Sequence, residues 1–204
     1  MAIFPKALIF DLGGVLVGFD GIGPLVRLSR GRLDTEGARR FWIESPWVRT
    51  LETGKCSPLE FARGVTSDAG FDISAEDFLQ QFASWEKGYL PGALEILQAL
   101  KGRIPLACLS NNNEMHWGIL QRRYQVGSCF DHLFLSHKIG MMKPDRGIYE
   151  YVLQNLAMAA GEVIFFDDNP ACVRGAVDAG IRAIQVNGPL QVRKALQELG
   201  IHLP

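Results

Sequence analysis

The sequence predicts an α/β fold: a parallel sheet covered by helices on both faces, interrupted after its first strand by a helical insertion. Three observations predict it. Short, continuously apolar runs recur along the chain, helical periodicities separate them, and the stretch 19–88 carries helical periodicity without a strand-like run. Continuous apolar runs mark strands buried on both faces, and strand alternating with helix marks parallel pairing through crossovers. The expected architecture is a Rossmann-like core, residues 1–18 and 89–204, with a small α-helical cap at 19–88.

The elements follow in order. The first strand is Ala7–Phe10. In the insertion, Ile22/Leu25/Val26, Phe41/Trp42, Leu59/Phe61/Ala62/Val65 and Phe78/Leu79/Phe82/Trp85 fall at helical spacing. Ser57-Pro58-Leu59-Glu60 and Ser74-Ala75-Glu76 are helix starts. Trp47 and Trp85 are assigned to the interior of the cap. Leu90-Pro91-Gly92 marks the return to the core. Ala93, Leu94, Ile96, Leu97 and Leu100 then share a helix face, and Ile104–Leu109 and His132–Leu135 are the next strands. Ile148, Tyr149, Val152, Leu153 and Leu156 form another helix face, and Val163–Phe166 and Arg182–Val186 complete the sheet.

Composition narrows the functional classes. The 204 residues are 48% hydrophobic and 21% charged with net charge −1. No basic field points to nucleic acid or an anionic membrane. The apolar runs are far shorter than the roughly 20 residues of a membrane span, and the N-terminus lacks the features of a signal peptide. Cys56, Cys108, Cys129 and Cys172 are scattered without a Cys-x-x-Cys pair, which fits reduced thiols in a cytoplasmic protein. His116, His132, His137 and His202 show no metal-ligand spacing and receive no role. Monomer and homodimer both stay open.

In a parallel α/β sheet, ligands bind beyond the carboxyl ends of the strands. Asp11 ends the first strand, Ser110-Asn111 the second and Asp167-Asp168 the fourth, while Lys143-Pro144 follows the third. Each is ordinary turn or cap chemistry alone; all four on one sheet edge are a site. Asp11, Asp167 and Asp168 would repel one another without a cation, and Mg²⁺ takes a few carboxylates with water and phosphate oxygens. The Ser110 hydroxyl, the Asn111 N–H and the Lys143 ammonium would cradle an anion. Such a set describes phosphoryl transfer, with a carboxylate as nucleophile.

Four segments in order, FDLGGVL (10–16), LSNN (109–112), KP (143–144) and FFDDNP (165–170), resemble the four motifs of the haloacid dehalogenase superfamily. The insertion resembles the small helical cap that one subfamily places after its first motif. The resemblance implies a Mg²⁺-dependent phosphatase that hydrolyses a small phosphorylated metabolite through an aspartyl-phosphate. Asp11 would be the nucleophile, Ser110 would bind the transferring phosphate, and Lys143 would bridge the two. Asp11, the Gly13 carbonyl, Asp167 and Asp168 would hold Mg²⁺, with Asp168 the direct ligand of the last pair. The Gly-Gly form of the first motif is similar to members often described as sugar-phosphate phosphatases. The runner-up is a 2-haloacid dehalogenase, which attacks carbon with the same aspartate, needs no metal, and usually lacks the paired acid of Asp167-Asp168. A low-activity or regulatory binding protein is the third reading, suggested by Gly13.

Family phosphatases usually carry a second aspartate where this chain has Gly13. It serves as general acid and then general base, help worth roughly 10²–10⁴-fold. Its absence predicts reduced turnover, a good leaving group, or a replacement acid. Asp20 is the nearby candidate for that acid, although a linker turn in Phe19-Asp20-Gly21 is the favoured reading of that residue. Gly14 is expected to let the chain turn sharply over the phosphate. Thr53-Gly54-Lys55, between two cap helices, either points back at the substrate or is a plain turn. Asp178 is expected at the surface.

Overall fold

The computed structural model describes residues 4–204. Five strands form the core sheet: β1 (Ala7–Phe10), β4 (Leu106–Ser110), β5 (His132–Leu135), β6 (Val163–Asp167) and β7 (Arg182–Gln185), in the order β5-β4-β1-β6-β7. Every neighbouring pair is parallel. Along these strands alternate side chains enter two different cores. Leu8, Phe10, Cys108 and Phe166 pack against α6 (Ala93–Leu100), α7 (Glu114–Tyr124) and α11 (Gly188–Glu198). Ala7, Ile9, Leu109 and Phe165 pack against α9 (Arg146–Leu156) and α10 (Pro170–Asp178). Burial on both faces is why these runs are continuously apolar rather than alternating.

The second strand begins at Leu106, two residues later than its apolar run suggests, because Pro105 has no N–H for the ladder. Its carbonyl still accepts from Leu8 N–H at 3.0 Å. Chain order reverses at β1: the connections lead outward through β4 to β5 and return to β6 on the other side. A crevice forms beyond the carboxyl end of β1 at this switch.

The insertion holds five helices, α1 (Ile22–Leu28), α2 (Thr35–Glu44), α3 (Pro46–Glu52), α4 (Pro58–Asp68) and α5 (Ala75–Ala83). Their shared interior is aromatic. Phe82 lies with ring centroids 5.0 Å from both Phe61 and Trp85, and Trp85 is almost fully buried. Trp47 is half-buried and covers Gly64, where a Cβ would sit 2.0 Å from its ring. Ser57 and Glu60 form a capping box on α4, and Ser74 caps α5 through Asp77 N–H.

One expectation is corrected. The stretch 19–88 shows no strand-like run in its sequence, but β2 (Val17–Phe19) at its entrance pairs antiparallel with β3 (Glu86–Tyr89) at its exit. The sequence of β3, EKGY, has no apolar run. It is extended because β2 supplies its hydrogen bonds, and it presses so closely on α7 that a Cβ at Gly88 (φ +78°) would lie 2.3 Å from the Tyr124 ring. Among the described residues, no helix is long and apolar enough to cross a membrane.

Candidate active site

A cavity of about 500 Å³ lies between the cap and the carboxyl end of the sheet. β1 delivers Asp11 to its floor, held by a hydrogen bond from Asp11 N–H to the Phe166 carbonyl at 2.9 Å. The chain then turns through Leu12-Gly13-Gly14. Gly14 has φ +70°, and its N–H donates to the Val17 carbonyl at 2.9 Å. The turn passes against Asp168: a Cβ at residue 14 would stand 2.4 Å from Asp168 Oδ2. Glycine is therefore required for both conformation and contact. Gly13 is different, since nothing lies within 4 Å of where its Cβ would be.

The other sequence-predicted residues converge on the same floor. Lys143 is buried, and its ammonium lies 2.9 Å from Asp11 Oδ1 and 2.6 Å from Asp167 Oδ2. The side-chain amide of Asn111 clasps the Lys143 backbone: Nδ2–H donates to its carbonyl and Oδ1 accepts from its N–H, both at 2.8 Å. Thus the residue after β4 sets the position of the lysine after β5. Ser110 is buried beside it and lines the cavity. Asp167 is fully buried with both oxygens engaged, one by Lys143 and the other by Asn169 N–H at 2.8 Å. Asp168 is more accessible. Ligand oxygens of Asp11, Asp167 and Asp168 all lie within 4.8 Å of one another.

Burial raises the Asp11 carboxyl to about 7, against the attraction of Lys143 and with the charge of Asp167 adding to the shift. For Lys143, burial works against the charge, but Asp11 and Asp167 overcome it and hold the ammonium well above its ordinary value. Burial and the neighbouring Asp167 also raise Asp168. Three carboxylates against one ammonium leave an uncompensated negative site, the setting in which a hard cation binds.

Asp20 is corrected. It is exposed and outside the cavity lining, and its Oδ1 accepts from Gly23 N–H at 3.1 Å at the start of α1. A short carboxylate beside free helix N–H groups is held there rather than reaching inward. In Thr53-Gly54-Lys55, Gly54 rests on the core, where a Cβ would lie 2.3 Å from the His137 carbonyl, and Lys55 is exposed. Asp178 is exposed as expected.

Three cavity residues were missed: Glu52, Glu86 and His116. Glu52 ends α3, where the helix dipole disfavours a carboxylate; that mismatch was the available signal. Burial raises it to about 7, with Lys143 opposing and Asp11 adding. Glu86 is raised by burial, then by Asp11, to about 8. His116 lies buried between cap and core. Its Nε2 faces the Phe82 carbonyl at 2.8 Å and must be the protonated nitrogen, because a carbonyl only accepts. Asn113 Oδ1 accepts from His116 N–H at 3.0 Å, so Asn113 Nδ2 is a donor toward His116 Nδ1 at 3.1 Å. The ring is neutral, and burial lowers its pKa to about 4.

The chain is similar to known proteins along nearly its whole length. Over 200 residues the chain is 23% identical to a D-ribitol-5-phosphate phosphatase of Bacteroides thetaiotaomicron, covering 94% of this chain and 96% of that one. It is 28% identical over 197 residues to a sesquiterpene phosphatase of Aspergillus oryzae, covering 95% and 96%. A haloacid dehalogenase family enzyme of Bacteroides thetaiotaomicron, crystallised with magnesium and inorganic phosphate, superposes with TM-score 0.73 at 24% identity, covering 89% of this chain and 93% of that one. The family model for haloacid dehalogenase-like hydrolases matches residues 5–180, and the chain belongs to that family.

Proposed function

We propose that the protein is a Mg²⁺-dependent phosphatase of a small phosphorylated metabolite, of the sugar- or polyol-phosphate class. The observation that carries this reading is the Lys143 ammonium bridging Asp11 and Asp167, with Asp168 completing the carboxylate cluster. Asp11 attacks phosphorus and forms an aspartyl-phosphate, which water then hydrolyses. Lys143 holds Asp11 in place and favours its ionised form against burial, while neutralising a phosphoryl oxygen. The Ser110 hydroxyl and Asn111 N–H complete the cradle.

The donor set fits Mg²⁺, which would be held by Asp11, the Gly13 carbonyl and Asp168, with Asp167 behind them. Both Asp167 oxygens already have protein partners, so Asp168 is the direct ligand of the pair. When bound, the ion supplies positive charge to the phosphoryl oxygens. The paired acid favours phosphorus over the carbon chemistry of a dehalogenase. The relatives named as phosphatases support the reading, and the D-ribitol-5-phosphate phosphatase supports the substrate class. Four unpaired cysteines fit a cytoplasmic setting.

The test is a screen of phosphorylated metabolites with added Mg²⁺, followed by Asp11→Asn. Turnover of a sugar or polyol phosphate that disappears in the variant is expected. Turnover that survives Asp11→Asn above a few per cent overturns the nucleophile assignment.

A further inference from the structure

Resting on the phosphatase reading, we propose that Glu86 gives the leaving group its proton and takes one from the attacking water, in place of the carboxylate absent at Gly13. Asp20 does not line the cavity, and its carboxylate accepts from Gly23 N–H at the start of α1. Two other carboxyls, Glu52 and Glu86, line the cavity, and their placements differ.

Glu52 ends α3 within the cap, while Glu86 stands on β3 at the exit of the insertion. The Glu86 strand is tied to the Gly13 turn itself: β3 pairs with β2, and β2 is bonded back through Val17 to Gly14 N–H, with Val17 N–H donating to the Leu12 carbonyl at 2.8 Å. The vacant slot and Glu86 therefore belong to one hydrogen-bonded unit.

A bulge aims the side chain. Gly18 pairs with Gly88, but Phe19 pairs with Glu86, so Lys87 is an extra residue. In unbroken register Lys87 would oppose Phe19, and the alternation would turn Glu86 to the other face of the ribbon. The bulge puts Glu86 on the face of Phe19, and both line the cavity. Lys87 is exposed, its ammonium 2.6 Å from the Ser84 carbonyl.

The carboxyl is also unfinished. Only 6% of the Glu86 side chain is exposed, and its Oε2 has no hydrogen-bond partner among the described residues. The nearest basic group, His116 Nδ1, is 3.9 Å from Oε1. That nitrogen is neutral and already accepts from Asn113, so it brings no proton to Glu86. A sealed oxygen without a partner finds one in what enters the cavity. Raised by burial, the group is protonated at neutral pH and free to donate.

The steps balance. An Asp11 oxygen bonds to phosphorus, the ester P–O bond breaks, and its electron pair stays on the leaving oxygen. That oxygen takes the Glu86 proton and departs as the alcohol. Water then bonds to phosphorus, the bond to Asp11 breaks with its pair returning to the carboxylate, and the water proton passes to Glu86. Phosphate is released and both carboxyls are restored.

The experiment compares wild type, Glu86→Gln, Glu52→Gln, Gly13→Asp and Glu86→Gln/Gly13→Asp on an aryl phosphate and a primary-alcohol sugar phosphate, with thermal melts to confirm folding. Glu86→Gln should lower sugar-phosphate turnover about 100-fold, in the range expected for lost acid–base help. Formation of the phosphoenzyme from the aryl ester should be nearly unchanged, so a burst of leaving group appears. The open space at Gly13 admits an aspartate, and the double variant should recover most of the loss. Turnover above a third of wild type in Glu86→Gln, a loss confined to Glu52→Gln, or a loss falling equally on the formation steps of both esters overturns the proposal while leaving the phosphatase reading intact. Absence of Asp11-dependent turnover with any phosphate ester overturns both.

Discussion

Gly14 and Asp168 are in contact across the floor of the cavity, so close that a methyl group on residue 14 would lie 2.4 Å from the Asp168 carboxylate oxygen. The turn after β1 and the loop after β6 thus set each other's position. Gly14→Ala meets this contact and also the left-handed backbone, which costs an L-residue about 1–2 kcal/mol. The expected result is a modestly lower melting temperature and a Mg²⁺ requirement raised by roughly tenfold, about 1.4 kcal/mol of binding. A Mg²⁺ titration of activity checks it; an unchanged half-saturation would show that Asp168 does not feel the turn.

Lys143→Met removes the cation shared by Asp11 and Asp167. Two buried carboxylates then face each other unpaired, which destabilises by about 3–5 kcal/mol at neutral pH. Acid should relieve the loss by protonating Asp11, which burial already raises to about 7. Urea denaturation of variant and wild type at pH 5 and pH 8 is expected to show a smaller difference at pH 5.

Burial raises Asp11 and Glu52 to about 7 and Glu86 to about 8. In the fold these groups hold protons that the unfolded chain has released. Stability of the metal-free protein should therefore fall as pH rises from the ordinary carboxylate range, near 4.5, to about 8, and level off beyond. Glu52 alone contributes on the order of 3 kcal/mol to this fall. Denaturation in the presence of a chelator measures it, and Glu52→Gln should flatten the curve. Stability that stays flat with pH through this window would mean the carboxyls are solvated.

Asp20→Ala should leave kcat unchanged, because the side chain caps α1 outside the cavity. Loss of a capping carboxylate costs about 0.5–1 kcal/mol, and Asp20→Asn, which still accepts from Gly23 N–H, should recover it. Steady-state kinetics with a thermal melt separates the two effects.

Chelation should abolish turnover reversibly, since the cluster keeps three carboxylates against one lysine. Asp168→Asn should weaken Mg²⁺ more than Asp167→Asn, with the latter showing mainly lost stability. The reverse order in a metal titration would exchange their roles.

Much of this protein was legible in its sequence, and the reason is local. A strand buried on both faces writes itself as four or five apolar residues, and a carboxylate directly after it is placed by the strand. Asp11, Ser110, Lys143, Asp167 and Asp168 could therefore be gathered before any contact was known. Ser57 and Glu60 announce their helix because both partners of the capping box lie within one turn. Glu52, Glu86 and His116 carry no such mark. Their burial comes from docking the cap on the core, through Gly54 against His137 and Gly88 against Tyr124. The face that Glu86 presents depends on one extra residue in the pairing of β3 with β2. Asp20 and Glu86 stand at opposite ends of the same insertion, both acidic and both beside an aromatic residue. Asp20 is held at the surface by Gly23 three residues on, while Glu86 is turned inward by its register with β2, a partner distant in the chain.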